Sequence, residues 1–206
     1  MKTNYQLKLD EEIKTLNGQR KKLLLHACCA PCSSYTIEYL SEFFDITLLF
    51  YNPNISPESE YDFRAKELQR LVKEMPLKHK VEVKICDYDY SEFLNIAKGK
   101  EDLAEGGERC FLCYKLRLNM AAKYAKQNGF DYFCTTLSIS PYKNAEKLNQ
   151  IGAELEKAFG IKYLYSDFKK KNGYKRSIEL SSEYNLYRQN YCGCEFSKKI
   201  SELQKN

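Results

Sequence analysis

Five short apolar runs separated by longer stretches of helical periodicity leave this chain few architectures. Lys22–His26 (KLLLH), Ile46–Tyr51 (ITLLFY), Val81–Cys86 (VEVKIC), Asp131–Thr135 (DYFCT) and Ile161–Tyr165 (IKYLY) read as strands. Several are continuously apolar, as strands buried on both faces of a parallel sheet are. Between them the spacing predicts helices over residues 32–43, 57–75, 110–128 and 145–159, the last two closed by Gly129 and Gly160. Strands alternating with helices imply an α/β fold, a doubly wound, mostly parallel sheet with helices on both faces. The 206 residues are read as one domain, with residues 1–20 peripheral and residues 166–206 a basic, aromatic and helical C-terminal segment.

In an open parallel sheet, ligands gather beyond the carboxyl ends of the strands. The first strand runs into ACCAPC, the second into NPNISP, the third into Cys86-Asp87-Tyr88-Asp89 and the fourth into TTLSISPYKN. A site built from these loops is expected. No apolar run approaches the roughly 18 residues of a membrane span, and the N-terminus has no apolar signal core. A cytosolic protein with no membrane partner is the expectation.

Nine cysteines in such a chain point to metal binding or catalysis rather than structural disulfides. Cys28 and Cys29 are adjacent, so both reach one centre only in a turn, which Pro31 at a helix start favours. The helix N-terminus stabilises thiolate there. Cys110 and Cys113 form C-x-x-C, half of a four-thiolate site, and the two pairs together supply four sulfurs. Spacing alone leaves zinc and an iron–sulfur cluster both open. Cys192-Gly193-Cys194 fits a strained, redox-active dithiol, or else a further ligand pair or an incidental C-x-C. Cys86 and Cys134, in apolar strands, read as core.

The net charge of +5 is carried wholly by the last 46 residues. Lys169, Lys170, Lys171, Lys175 and Arg176 (KKKNGYKR) lie there among eight aromatic residues, a pattern suited to an RNA backbone with unstacked bases or to a solvated basic face.

Six ordered segments, HACCAPCS at 26–33, FYNPNISPESEYDFR at 50–64, DYDYSEF at 87–93, GGERCFLCYKLRL at 106–118, FCTTLSISPYKN at 133–144 and YRQNYCGCEFS at 187–197, resemble the motifs of the cobalamin-independent epoxyqueuosine reductases of QueH type. The likeness spans about residues 22–197. It implies an adenine-nucleotide α-hydrolase type of sheet and reduction of the epoxide of epoxyqueuosine to an alkene, with loss of water, at the wobble base of a tRNA, the last step of queuosine biosynthesis. It implies a [4Fe-4S] cluster on Cys28, Cys29, Cys110 and Cys113, and a redox-active disulfide between Cys192 and Cys194. It further implies a mononuclear iron, matched to Asp89 ahead of Asp87, with Cys32 as another candidate ligand. An electron donor is implied but not identified.

Contacts to tRNA are expected at Arg109, Lys115, Lys170, Lys171, Lys175 and Arg176. Tyr35, Tyr61, Arg64, Tyr114 and Arg117 lie in or beside the motifs and read as phosphate or base contacts, or as core phenols and ion pairs. His26 could protonate the leaving oxygen or serve as a hydrogen-bonded structural histidine, and His79 has no expected chemical role. Two rival functions are an iron–sulfur tRNA sulfurtransferase, disfavoured because HACCAPCS replaces its glycine- and serine-rich pyrophosphate loop, and a zinc-stabilised tRNA-binding protein without catalysis.

Overall fold

The leucines of the first strand alternate between two apolar layers, and the whole fold is organised around that alternation. Leu23 and Leu25 pack into one layer and Leu24 into the other, each fully buried. Burial of this kind stabilises by about 1.5–3 kcal/mol per side chain. In the computed structural model, residues 3–203 are described. Among them the strands β1 (Lys21–His26), β2 (Phe44–Phe50), β3 (Glu82–Ile85), β4 (Tyr132–Thr135) and β5 (Lys162–Tyr163) form one sheet in the order β3-β2-β1-β4-β5. All four pairings are parallel. The expected α/β fold is the one observed.

One face carries α1 (Tyr5–Thr15), α2 (Ala30–Leu40) and α3 (Glu58–Glu74), through residues such as Leu9, Ile37 and Leu68. The other carries α5 (Glu108–Gln127) and α6 (Ala145–Phe159), through Leu118, Ala122, Leu148 and Ile151. Two further helices, α7 (Gly173–Glu183) and α8 (Glu195–Leu203), make up about half of the C-terminal segment. The N-terminal stretch expected to be peripheral contains α1, whose Leu9 is fully buried and whose Glu12 accepts from Tyr132 at 2.5 Å. Residues 1–2 and 204–206 of the two terminal segments lie outside the described residues.

Several boundaries differ from those the sequence predicts, for local reasons. The helix expected over 32–43 runs from Ala30, because Cys29 is already extended and caps it with Pro31 inside the first turn. It ends at Leu40, and Phe44 begins β2 instead. The expected strand at 161–165 keeps only two residues. A helix that periodicity did not reveal, α4 (Tyr90–Ala97), starts at Asp89, whose carboxylate accepts from the Ser91 backbone.

The chain order changes direction between β1 and β4, so the sheet's topological switch point lies at their carboxyl ends. His26 and Thr135 are the last register pair there, and their side chains are hydrogen-bonded at 2.9 Å. The cysteine-bearing loop after β1 begins one residue later.

Candidate metal centre and dithiol pocket

The turn after β1 gathers three thiols at the start of α2. The sulfurs of Cys28, Cys29 and Cys32 lie within 4.8 Å of one another. Cys28 Sγ and Cys29 Sγ are 3.9 Å apart, and Thr136 Oγ1 donates to Cys28 Sγ at 3.5 Å. Cys29 ionises first, because hydrogen bonds from Cys28 and Cys32 outweigh its burial and the Arg64 charge adds to them. Cys28, hydrogen-bonded to that thiolate, is pushed up to about 12. A single thiolate at a helix N-terminus, with two more thiols beside it, is a ready ligand set for a soft metal.

Cys110 and Cys113 occupy the first turn of α5, and the Gly106 backbone N–H donates to Cys110 Sγ at 3.2 Å. They line a small cavity of about 10 Å³ together with Cys192, Cys194, Asn54 and Tyr114. A larger cavity of about 600 Å³ adjoins it, lined by Cys28, Cys29, Cys32, Arg188, Tyr191 and Cys192 among others. Arg117, Lys143, Glu105 and Cys192 line both. Thus the structure brings Cys28 and Cys29 together with Cys32, and sets Cys110 and Cys113 beside the C-x-C pair.

The C-x-C segment is held by the loop after β2 and by α3. Ser56 N–H donates to the Gly193 carbonyl at 3.0 Å, and Arg64 Nη1 donates to the Cys192 carbonyl at 3.3 Å. Ser197 completes the frame, its hydroxyl accepting from Cys192 N–H and its N–H donating to Cys194 Sγ at 3.4 Å. Burial raises the Cys194 thiol to about 12, and charge on Cys192 pushes the same way.

Buried cations surround the thiols. Arg117 is 1% exposed, donates to Asn52 Oδ1 and to the Cys113 carbonyl, and leaves Nη2 without a partner. The Lys143 side chain is 8% exposed, and its Nζ lies 3.4 Å from Glu105. Burial would lower its ammonium, but negative charge on Cys192 and Tyr114 raises it, so it stays protonated. Such cations offset the charge that ionised thiols bring together. The donor set therefore fits a thiolate-bound metal or iron–sulfur cluster.

Other expected site residues are spent elsewhere. Asp89 caps α4 and lines neither cavity, and Asp87 is exposed. Arg109 is turned inward, donating to the Lys100 and Glu101 carbonyls and covering the Phe196 ring at 4.4 Å. Lys115 is exposed and 3.6 Å from Glu154. In the basic cluster, Arg176 clasps Glu38 on α2, Lys171 pairs with Asp10 and Lys169 with Asp167. Lys170 and Lys175 are exposed. Tyr61 donates to two backbone carbonyls, and Tyr35 stacks on Tyr39. Burial, with the Arg117 charge, lowers His26 to about 3, so it is a neutral imidazole bridging Thr135 and the Tyr51 carbonyl. Cys134 is fully buried as expected, whereas Cys86 sits just past β3 and is half-buried.

Sequence reasoning missed Lys143, Asn54 and Arg188 as cavity residues. Their signal was position, since Asn54 and Lys143 follow β2 and β4, where loops of a parallel sheet converge.

A doubly wound parallel sheet with three thiols gathered at its switch point is the class of protein that fold and site define. A solved structure of similar fold is the U34-tRNA thiolase NcsA from Methanococcus maripaludis with its [4Fe-4S] cluster, at a TM-score of 0.50 and 10% identity, covering 97% of this chain and 72% of that one. Residues 23–200 match the family model of epoxyqueuosine reductase QueH. Relatives so named include one from Streptococcus pyogenes, 44% identical over 98% of this chain and 81% of its own length, and one from Staphylococcus epidermidis, 45% identical over 88% and 78%. Another, from Thermotoga maritima, is 37% identical over 85% and 89%. The chain belongs to the QueH family, a family of oxidoreductases. Among the described residues no helix is long and apolar enough to cross a membrane.

Proposed function

We propose that this protein reduces the epoxide of epoxyqueuosine to the alkene of queuosine at the wobble position of a tRNA, in the cytosol, using a [4Fe-4S] cluster and the Cys192–Cys194 dithiol. The observation that carries the reading is the family match over residues 23–200. The convergence of three cysteine groups on two adjoining cavities supports it.

Cys28, Cys29, Cys110 and Cys113 would hold the cluster, which when bound supplies single-electron transfer. Cys32, whose sulfur stands beside those of Cys28 and Cys29, would contribute to a mononuclear iron. The cavity of about 600 Å³ is of a size that takes a nucleoside-sized ligand. Cys192 stands on the wall between that cavity and the smaller one, so a dithiol there meets both substrate and cluster ligands. Closing the disulfide releases two electrons and two protons, the amount that converts an epoxide to an alkene and water. An external electron donor then reopens it. Lys170 and Lys175, exposed on the C-terminal segment, would meet the phosphate backbone.

Iron, acid-labile sulfide and zinc per chain, measured on protein purified without oxygen, test the cofactor. Four irons with sulfide, lost in a Cys110→Ser, Cys113→Ser variant, are expected, followed by reduction of epoxyqueuosine in tRNA by the wild-type protein. Zinc without sulfide would favour a tRNA-binding protein without catalysis.

A further inference from the structure

The reduction releases an oxygen atom that must leave as water, so some group beside the substrate has to meet it with a proton. His26 is excluded, because both ring nitrogens are engaged by Thr135 and the Tyr51 carbonyl in the core. Arg117 lines both cavities, but a guanidinium does not give up its proton. Tyr114, whose hydroxyl is buried without a partner among the described residues, lines the small cavity but not the larger one. Glu105 faces both cavities, but its carboxyl oxygen is engaged by Lys143 Nζ at 3.4 Å.

Lys143 remains. It follows β4 in the loop at the switch point, lines both cavities and is almost fully buried. Among the described residues its ion pair is the long contact to Glu105 at 3.4 Å, which leaves ammonium protons for a third party. It shares the lining of both cavities with Cys192. Resting on the epoxide-reduction reading above, we infer that Lys143 is the catalytic residue that receives the departing oxygen, hydrogen-bonding to it as the carbon–oxygen bonds break and transferring a proton to it.

The step balances within the chain. Both epoxide C–O bonds break and the second bond of the alkene forms. The electron pair comes from Cys192 and Cys194 as their thiols become a disulfide, and the two thiol protons end on the oxygen as water. One of them travels through Lys143, which is reprotonated and leaves the cycle as it entered. Glu105, 3.4 Å from Nζ, holds the amine in place between the two cavities.

Single-turnover reduction of tRNA bearing epoxyqueuosine by prereduced holoenzyme tests the role with two variants, Lys143→Gln and Lys143→Arg. Wild-type turnover must come first, and its absence would overturn the epoxide-reduction reading itself. With wild type active, Lys143→Gln is expected to slow the single-turnover rate by about 10²–10⁴-fold, with iron per chain and affinity for the tRNA retained. Lys143→Arg keeps the charge without an easily released proton, so it should not restore the rate. A Gln variant within about threefold of wild type, or full rescue by Arg, would overturn the assignment to proton transfer. If Gln substitution lowers iron content, the Arg variant decides alone, and a tightly bound but slowly reduced substrate is the expected result.

Discussion

Arg64 on α3 reaches across the fold to donate a hydrogen bond of 3.3 Å to the backbone carbonyl of Cys192. The same guanidinium is 2% exposed, pairs with Glu60 and lies 5.2 Å from the Tyr191 ring centre. It also borders the cavity that holds Cys28, Cys29 and Cys32. One side chain therefore touches the backbone of the C-x-C pair and faces the three-thiol group.

Loss of that anchor should displace the dithiol without emptying the metal site. An Arg64→Met variant, which keeps the aliphatic stem, is expected to lose about 10²-fold in turnover, as misplacements near 1 Å do. Iron analysis and steady-state reduction of tRNA-bound epoxyqueuosine check it. Unchanged turnover would show that the C-x-C segment holds its place by itself.

On the proposed function, replacement of one sulfur of the C-x-C pair separates electron supply from cluster binding. A Cys192→Ser protein should retain its iron and sulfide yet fail to turn over repeatedly, since no disulfide can close. Product counted per enzyme is the readout, and normal multiple turnover would remove the dithiol from the mechanism.

The basic cluster divides into two kinds of cation. Arg176, paired with Glu38 at 2.6 Å on a partly exposed surface, should cost about 0.5–1 kcal/mol when changed to Ser, seen as a lower urea midpoint. Lys170→Ser with Lys175→Ser should leave stability alone and flatten the salt dependence of tRNA binding by about 1.4–1.8 in log–log slope. Binding unchanged after all five cations are made Ser would take the cluster out of the interface.

Gly152 in α6 provides a test of packing against propensity. In an isolated helix Gly→Ala stabilises by about 1 kcal/mol. Here a Cβ would lie 2.3 Å from the Tyr163 ring, so overpacking of about 1–3 kcal/mol should prevail. A Gly152→Ala protein is expected to unfold at lower denaturant, and a raised midpoint would mean the ring moves freely.

Much of this protein was legible in one dimension. The apolar runs around Leu24, Leu48 and Phe133 specified buried parallel strands because no other element hides a continuous apolar run of that length between helices, and alternation then fixed the doubly wound sheet. The motifs named the family, and placing ACCAPC after the first strand located the thiols at strand ends. Other features depended on distances between residues far apart in the chain. Cys32 stands with Cys28 and Cys29 in one local turn, as their nearness in the chain foretold, but nothing in the spacing revealed that Cys110 and Cys113 would line a cavity with Cys192, since that depends on how α5 and the C-terminal segment pack. Arg109 and Arg176 read as cations for RNA until packing engaged one with loop carbonyls and the other with Glu38. Lys143 drew no reading from the sequence, and only the closure of two cavities around it made it a buried ammonium that shares a lining with a thiol. Sequence sets which groups are available, because composition and periodicity are local. Tertiary structure decides which of them are desolvated together, and desolvation is what turns a thiol, a lysine or an arginine from a surface charge into chemistry.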